Sequence, residues 1–223
     1  MNSAGTIAIC DYGMGNLRSV EKALERVRAR VVLSADHDLI GSAAGVIVPG
    51  VGAFPEAMRR IRALGLDGLI AERAEAGVPI LGICLGMQLL FESSKEHEGS
   101  AGLGLLGGSV EPLTAVGLKV PHIGWAPLRF EAGHAEATGG ALLEGIVEAT
   151  PFYFVHSYVA HPSEPGELVA SAAYGSRFSA IVGRGNVLGA QFHPEKSSAA
   201  GLRLLANFAS ICAAAKLGPA LAR

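Results

Sequence analysis

The chain has 223 residues, half of them hydrophobic and 17% charged, with a formal net charge of −2. That is enough apolar material for one large α/β domain or two small ones, and it argues against disorder. The charge balance offers no basic field for nucleic acid or for an anionic membrane surface. Three cysteines, Cys10, Cys84 and Cys212, are odd in number and widely spaced, which argues against a disulfide framework and for a reducing, cytoplasmic setting. The N-terminal residues show no charged segment followed by an apolar one, so no export signal is expected. Arg203, Asn207 and Lys216 interrupt the apolar C-terminal stretch, so no run of about eighteen apolar residues is read as a membrane span.

Thr6–Cys10 is a continuous apolar stretch that reads as a strand, followed by the turn Asp11-Tyr12-Gly13-Met14-Gly15-Asn16. Leu17, Val20, Leu24 and Val27 then recur at helical spacing, with Arg18, Glu21, Glu25 and Arg28 on other faces. Residues 31–33 and 45–48 read as the next strands, the second ending in Pro49-Gly50-Val51-Gly52. Pro55 at a first helical position opens a helix to about residue 63. Residues 66–76 suggest another helix, 78–83 a fourth strand, and 85–92 the start of a further helix. Short apolar strands alternating with helices imply a parallel sheet covered on both faces, with an active site at the carboxyl ends of the strands.

After about residue 98 the pattern changes to shorter, hairpin-connected strands, expected at 109–113, 128–131, 152–160, 168–174, 179–182 and 187–192. Gly183-Arg184-Gly185-Asn186 is a hairpin turn between the last two. A helix over about 199–216 closes the chain. With no linker and no repeat, residues 1–223 read as one domain.

Between the fourth strand and its helix lies Gly82-x-Cys84-x-Gly86, the cysteine form of a nucleophile elbow. Side chains at either glycine would collide with the tight turn that lifts the cysteine out of the sheet. A thiol there faces a helix N-terminus, which favours the thiolate. A lone cysteine in an apolar strand is more often a core residue; the flanking glycines and the strand-to-helix switch favour a nucleophile, given a base elsewhere. Gln191-Phe192-His193-Pro194-Glu195 is the best source of that base. In an extended segment His193 and Glu195 share a face, and the carboxylate could hold the imidazole in one tautomer. The Pro49–Gly52 turn could supply oxyanion donors with the N–H of Leu85, or be a plain strand-ending turn. Gln88, one helical turn past Cys84, could bind a polar substrate or be solvated.

Other signals fail. Arg18 occupies the third-glycine position after Gly13-Met14-Gly15, so a dinucleotide fingerprint is incomplete, and no Gly-Lys-Ser/Thr loop occurs. His37, His97, His122, His134, His156, His161 and His193 show no paired metal-ligand spacing, so no metal and no cofactor are expected.

Cys84 in Gly-x-Cys-x-Gly-x-Gln, the Pro-Gly-Val-Gly loop and the late His-x-Glu together resemble the class I, triad-type glutamine amidotransferases. Asp11-Tyr-Gly-Met-Gly-Asn-Leu-Arg-Ser-Val20, Pro121-His-Ile-Gly-Trp125, His156-Ser-Tyr158 and His193-Pro-Glu-Lys-Ser197 resemble, within them, the glutaminase subunits of imidazole glycerol phosphate synthases. The likeness runs from Ile7 to about Phe208. It implies a three-layer, flavodoxin-like fold with a mixed central sheet and helices on both faces. It also implies a Cys84–His193–Glu195 triad that hydrolyses glutamine through a thioester, with Gly50, Val51, Gly52 and Leu85 around the oxyanion. Gln88, Glu96, Ser157 and Tyr158 would hold the amino-acid end of glutamine. The implied partner is a (β/α)8-barrel cyclase that receives the ammonia in histidine biosynthesis, with Asn16, Trp125, Tyr153 and Lys196 at the interface. One departure is Ala126, where relatives often carry Asn. Another amidotransferase of the class, or a free-standing γ-glutamyl-type cysteine hydrolase, is the alternative reading.

Overall fold

The computed structural model describes residues 5–133 and 138–217, so His134 lies outside the described residues. The first half alternates β1 (Thr6–Cys10), α1 (Leu17–Arg26), β2 (Arg30–Ser34), α2 (His37–Gly41), β3 (Gly45–Val48), α3 (Phe54–Ala63), α4 (Leu66–Glu75), β4 (Ile80–Ile83) and α5 (Leu85–Leu89). The second half is mostly strands: β5 (Phe91–Ser94), β6 (Ser100–Ala101), β7 (Leu106–Pro112), β8 (His122–Pro127), β9 (Arg129–Phe130), β10 (Pro151–His156), β11 (Tyr158–Pro162), β12 (Leu168–Tyr174), β13 (Ser176–Arg184) and β14 (Val187–Ala190). Helix α6 (Ser198–Leu217) follows them.

Eight strands form a mixed sheet in the order β2-β1-β3-β4-β14-β13-β12-β9. The strands from β2 to β14 in that order are parallel, and the rest are antiparallel. Side chains alternate across each central strand. Ile7, Ile9, Ile47, Leu81 and Ile83 enter one core, which α1 and α6 close with Val20, Leu24, Leu204 and Phe208. Ala8, Cys10, Val46, Val48 and Ile80 enter the other, closed from α2 to α5 by Ile40, Met58, Ile61, Ile70 and Met87. The pattern is a parallel sheet buried on both faces, as the apolar runs imply.

Three local expectations need correction. The helix expected over 85–92 stops at Leu89 and the chain turns into β5. The returning segment takes the carbonyls a longer helix would use: Leu103 N–H donates to Leu89 O at 2.8 Å and Leu105 N–H to Leu90 O at 2.8 Å. The single strand expected over 152–160 is two strands broken at Ser157, because β10 pairs with β8 while β11 pairs with β7. Within α6, Ser198–Ala215 is long and apolar enough by length and composition to cross a membrane, at a mean hydropathy of 1.3, despite Arg203 and Asn207. Yet Leu204, Leu205, Phe208 and Cys212 of that helix are buried against the sheet.

Candidate active site

The site is built where β4 and β14 end side by side. Their parallel register pairs Ile83 with Ala190, and Cys84 N–H donates to Ala190 O at 2.7 Å. Residues that follow β14 therefore arrive next to Cys84 although more than a hundred positions separate them in sequence. Cys84 itself has φ 55° and ψ −112°, a region non-glycine residues rarely occupy and one that packing must impose. The flanking glycines allow it. A Cβ on Gly82 would lie 2.6 Å from Gly86 O, and one on Gly86 would lie 1.7 Å from Val48 O of β3. Since α5 has only five residues, its dipole is small, and the nearest source of positive charge for a thiolate is His193.

His193 Nδ1 lies 2.9 Å from Glu195 Oε1, with the two side chains 4% and 0% exposed. The pair does not meet along an extended segment as the sequence suggests. Only His193 is extended (φ −99°, ψ 96°), and Pro194–Lys196 is a 3-10 turn that brings the carboxylate back under the ring. The backbone is clamped here: His193 N–H donates to Tyr153 O at 2.9 Å, and Ser197 Oγ donates to His193 O at 2.7 Å. With Nδ1 facing the carboxylate, Nε2 is the nitrogen free for Cys84. Burial of the ring opposes its charge, but hydrogen bonding to Cys84 and Glu195 outweighs this and raises the His193 pKa to about 10.

These groups open into a cavity of about 340 Å³, also lined by Val51, Gly52, Leu85, Gln88, Glu96, Ser157 and Tyr158. Gly50 is not in the lining. It sits behind the cavity, where a Cβ would lie 2.6 Å from the Tyr12 hydroxyl and 2.9 Å from Leu85 Cβ. Gln88 is buried rather than solvated, and its Nε2 donates to Tyr158 O at 3.1 Å and to Gln191 Oε1 at 3.0 Å. Glu96 accepts from the Phe54 N–H at 2.7 Å, capping α3 with one oxygen.

The four residues expected at a partner interface separate into two groups. Lys196 lines the cavity with its Nζ 6.0 Å from the Tyr153 ring centroid. Tyr153 meets Trp125 edge-on at 5.8 Å, and Trp125 is 51% exposed. Asn16 instead points to the triad carboxylate, its Nδ2 3.4 Å from Glu195 Oε1. Ala126 is buried opposite Phe152, so its substitution for Asn faces the core and not the cavity.

The sequence reading missed several groups. Tyr12 is buried, its hydroxyl donates to Pro49 O, and burial pushes its pKa up. Buried His122 and His156 touch ring to ring, Nδ1 of the first 3.2 Å from Nε2 of the second. Burial first, against an opposing hydrogen bond to Tyr158 O, lowers the His156 pKa to about 4. Gln191 is fully buried, with Nε2 3.8 Å from Cys84 Sγ. Its position two residues before His193 was a usable signal, since alternate residues of a strand share a face. Among the described residues no group of three or more His, Cys, Asp or Glu could hold a metal ion.

Residues 8–212 match the family model for glutamine amidotransferase class-I. The chain is 51% identical over 205 residues to the imidazole glycerol phosphate synthase subunit HisH of Moorella thermoacetica, covering 92% of this chain and 94% of that one. It is 47% identical to the subunit of the same name from Methanosarcina acetivorans, over 92% and 98% of the two chains. Among solved structures, a glutamine amidotransferase crystal structure matches with a TM-score of 0.70 at 23% identity, covering 92% and 98%. The structure of PurLQS from Thermotoga maritima matches at 0.68 and 21% identity, with the same coverage; both likenesses are of fold. The elbow cysteine, the buried His–Glu pair and the similarity over nine-tenths of its length agree: the chain belongs to the class-I glutamine amidotransferases, in the branch of the HisH subunits.

Proposed function

We propose that this chain is the glutaminase subunit of an imidazole glycerol phosphate synthase, acting in the cytoplasm beside a (β/α)8-barrel cyclase. The observation that carries the chemistry is a cysteine held in a strained elbow and paired with a buried, carboxylate-backed imidazole at one cavity. The Cys84 thiolate attacks the side-chain amide carbon of glutamine, and the tetrahedral oxyanion is held by N–H groups at Leu85 and the Val51–Gly52 turn. His193 gives its proton to the departing ammonia. It then takes one from water, whose oxygen attacks the thioester and releases glutamate. Glu195 keeps Nδ1 protonated and stabilises the imidazolium throughout. No cofactor enters this sequence.

Gln88, Glu96, Ser157 and Tyr158 hold the amino-acid end of glutamine in this reading. With both Gln88 amide hydrogens donated to protein groups, its Oε1 remains to accept from the substrate ammonium. The exposed Trp125, with Tyr153 and Lys196 beside the cavity mouth, suits an interface where ammonia leaves for the cyclase before it can be protonated. We read residues 1–223 as one amidotransferase domain, on the support of two cores that share one sheet.

Cys84→Ala tests the reading. In the assembled complex it should abolish glutamine-dependent synthesis and leave ammonia-dependent synthesis intact. Loss of both activities in a complex that still assembles would overturn the assignment. Full glutamine hydrolysis by the isolated chain, indifferent to the cyclase, would favour a free-standing hydrolase.

A further inference from the structure

We propose that Gln191 is a positioning residue that ties the nucleophile to the substrate-binding amide: its carboxamide donates to the Cys84 sulfur and accepts from Gln88. The inference rests on the glutaminase reading of Cys84 and goes beyond it.

Gln191 is 0% exposed, and its N–H is fixed to Ala180 O at 2.9 Å, so its side chain starts from a rigid strand end. Nε2 lies 3.8 Å from Cys84 Sγ, and Oε1 accepts from Gln88 Nε2 at 3.0 Å. The orientation is chemically determined. Reversing the Gln191 amide would set two NH2 groups against each other at Gln88 and a carbonyl oxygen against the sulfur. Gln88 in turn spends its second hydrogen on Tyr158 O at 3.1 Å, which His156 Nδ1 also approaches at 3.0 Å. A carbonyl only accepts, so His156 carries its proton on Nδ1, and its Nε2 accepts from His122 Nδ1 at 3.2 Å. Two donor chains therefore meet at Tyr158 O, one from His122 through His156 and one from Gln88, and the other hydrogen of Gln88 starts the run Gln88–Gln191–Cys84 that is directed donor by donor towards the sulfur.

A neutral donor at this distance is weak towards a thiol and stronger towards a thiolate, because the acceptor is charged and both residues are buried. The titratable groups around the sulfur are His193, backed by Glu195, and Tyr12, with neutral His156 beyond and Glu96 and Lys196 in the lining of the same cavity. Gln191 supplies a neutral donor to the thiolate beside the charged His193, before attack and again when the thioester is hydrolysed.

The test is iodoacetamide alkylation of the folded chain against pH, read at Cys84 by mass spectrometry, with glutamine kinetics in the complex. Cys10 and Cys212 are internal controls: both are buried, and burial pushes their pKa values to about 12, so their alkylation reports unfolding. Gln191→Met removes donor and acceptor at similar volume. Its alkylation midpoint should move up by about half to one pH unit, and the KM for glutamine should rise by about tenfold as Gln88 is released. Gln88→Met should raise KM with a smaller movement of the midpoint. If Gln191→Met exposes Cys10 or Cys212, Gln191→Asn, too short to reach the sulfur, carries the same expectation. An unchanged midpoint in a folded Gln191 variant overturns the proposal. If the wild-type complex hydrolysed no glutamine, the function would fail, but the alkylation midpoints would still decide the Gln191–Cys84 contact.

Discussion

Gly86 gives the sharpest test of how the elbow is built. A Cβ added there lies 1.7 Å from Val48 O and 2.7 Å from Val48 C. Carbon–oxygen contacts settle at about 3.3 Å, so the end of β3 or the start of α5 must move by roughly 1.5 Å. Neither is a flexible side chain, and both are packed on all sides. Gly86→Ala should therefore cost about 3 kcal/mol or more, the upper range for overpacking. For a chain of this length that lowers Tm by about 6–12 °C. Activity should fall further than stability, because the backbone that must yield leads directly into the Pro49–Gly52 turn, and a displacement of about 1 Å can cost about a hundredfold in rate. Gly68 in α4 is the control, since a Cβ there meets nothing within 4 Å; Gly68→Ala should stabilise by about 0.5–1 kcal/mol. Thermal and urea unfolding, with glutamine hydrolysis at a temperature where each variant is folded, measure both effects. A Gly86→Ala protein that melts within about 2 °C of wild type and keeps its rate would refute the close approach of α5 to β3.

Three further outcomes are expected. Burial lowers the His156 pKa from its ordinary 6.5 to about 4, so between those values the unfolded chain binds a proton the folded chain does not. The His156 contribution to stability should be complete above pH 6.5 and fall by about 3 kcal/mol as pH drops towards 4, with His122, also lowered by burial, adding in the same direction. His193, raised to about 10, acts in the opposite sense: it is charged in the folded chain throughout, and its contribution is full well below pH 6.5 and falls as pH rises beyond that value. Urea unfolding of His156→Gln at pH 4.5–7 should show a shallower slope than wild type; an equal slope would mean the His156 ring is not buried as a neutral group. At the proposed interface, Trp125→Ala should weaken cyclase binding by about tenfold or more, and Lys196→Ala should weaken binding more than it slows Cys84 alkylation. Titration calorimetry with the cyclase checks both, and unchanged affinity would remove either residue from the interface.

What the sequence made legible was mostly local. The apolar runs of β1, β3 and β4, the helix spacing of α1 and the glycines around Cys84 each act over a few residues, through pleat, turn and burial. The break at Ser157 was not legible, because 152–160 has the composition of a single strand and only the identity of its two partners divides it. The short helix α5 was hidden in the same way, since the groups that end it come from residues 103–106. His193 and Glu195 were named from their spacing, but for a geometry the 3-10 turn replaces. Gln191 stood in the same motif and was given no role, since nothing local shows that the strand before it runs beside β4.

That non-local pairing is where the site is decided. A slip of one residue between β14 and β4 would turn Gln191 and His193 to the opposite face of the sheet, leaving Cys84 with neither donor nor base. The register is pinned at the far end of the strand, away from the chemistry. Asn186, next to the left-handed Gly185 in the hairpin turn, donates through Nδ2 to Ala74 O at 2.8 Å and Val78 O at 2.7 Å. Its own carbonyl accepts from the Ile80 N–H at 2.8 Å. One asparagine thus fixes the start of β14 to the chain on both sides of the entry to β4. The β-strand period then carries that alignment to Ala190 and Ile83, with the cysteine and the glutamine one step beyond.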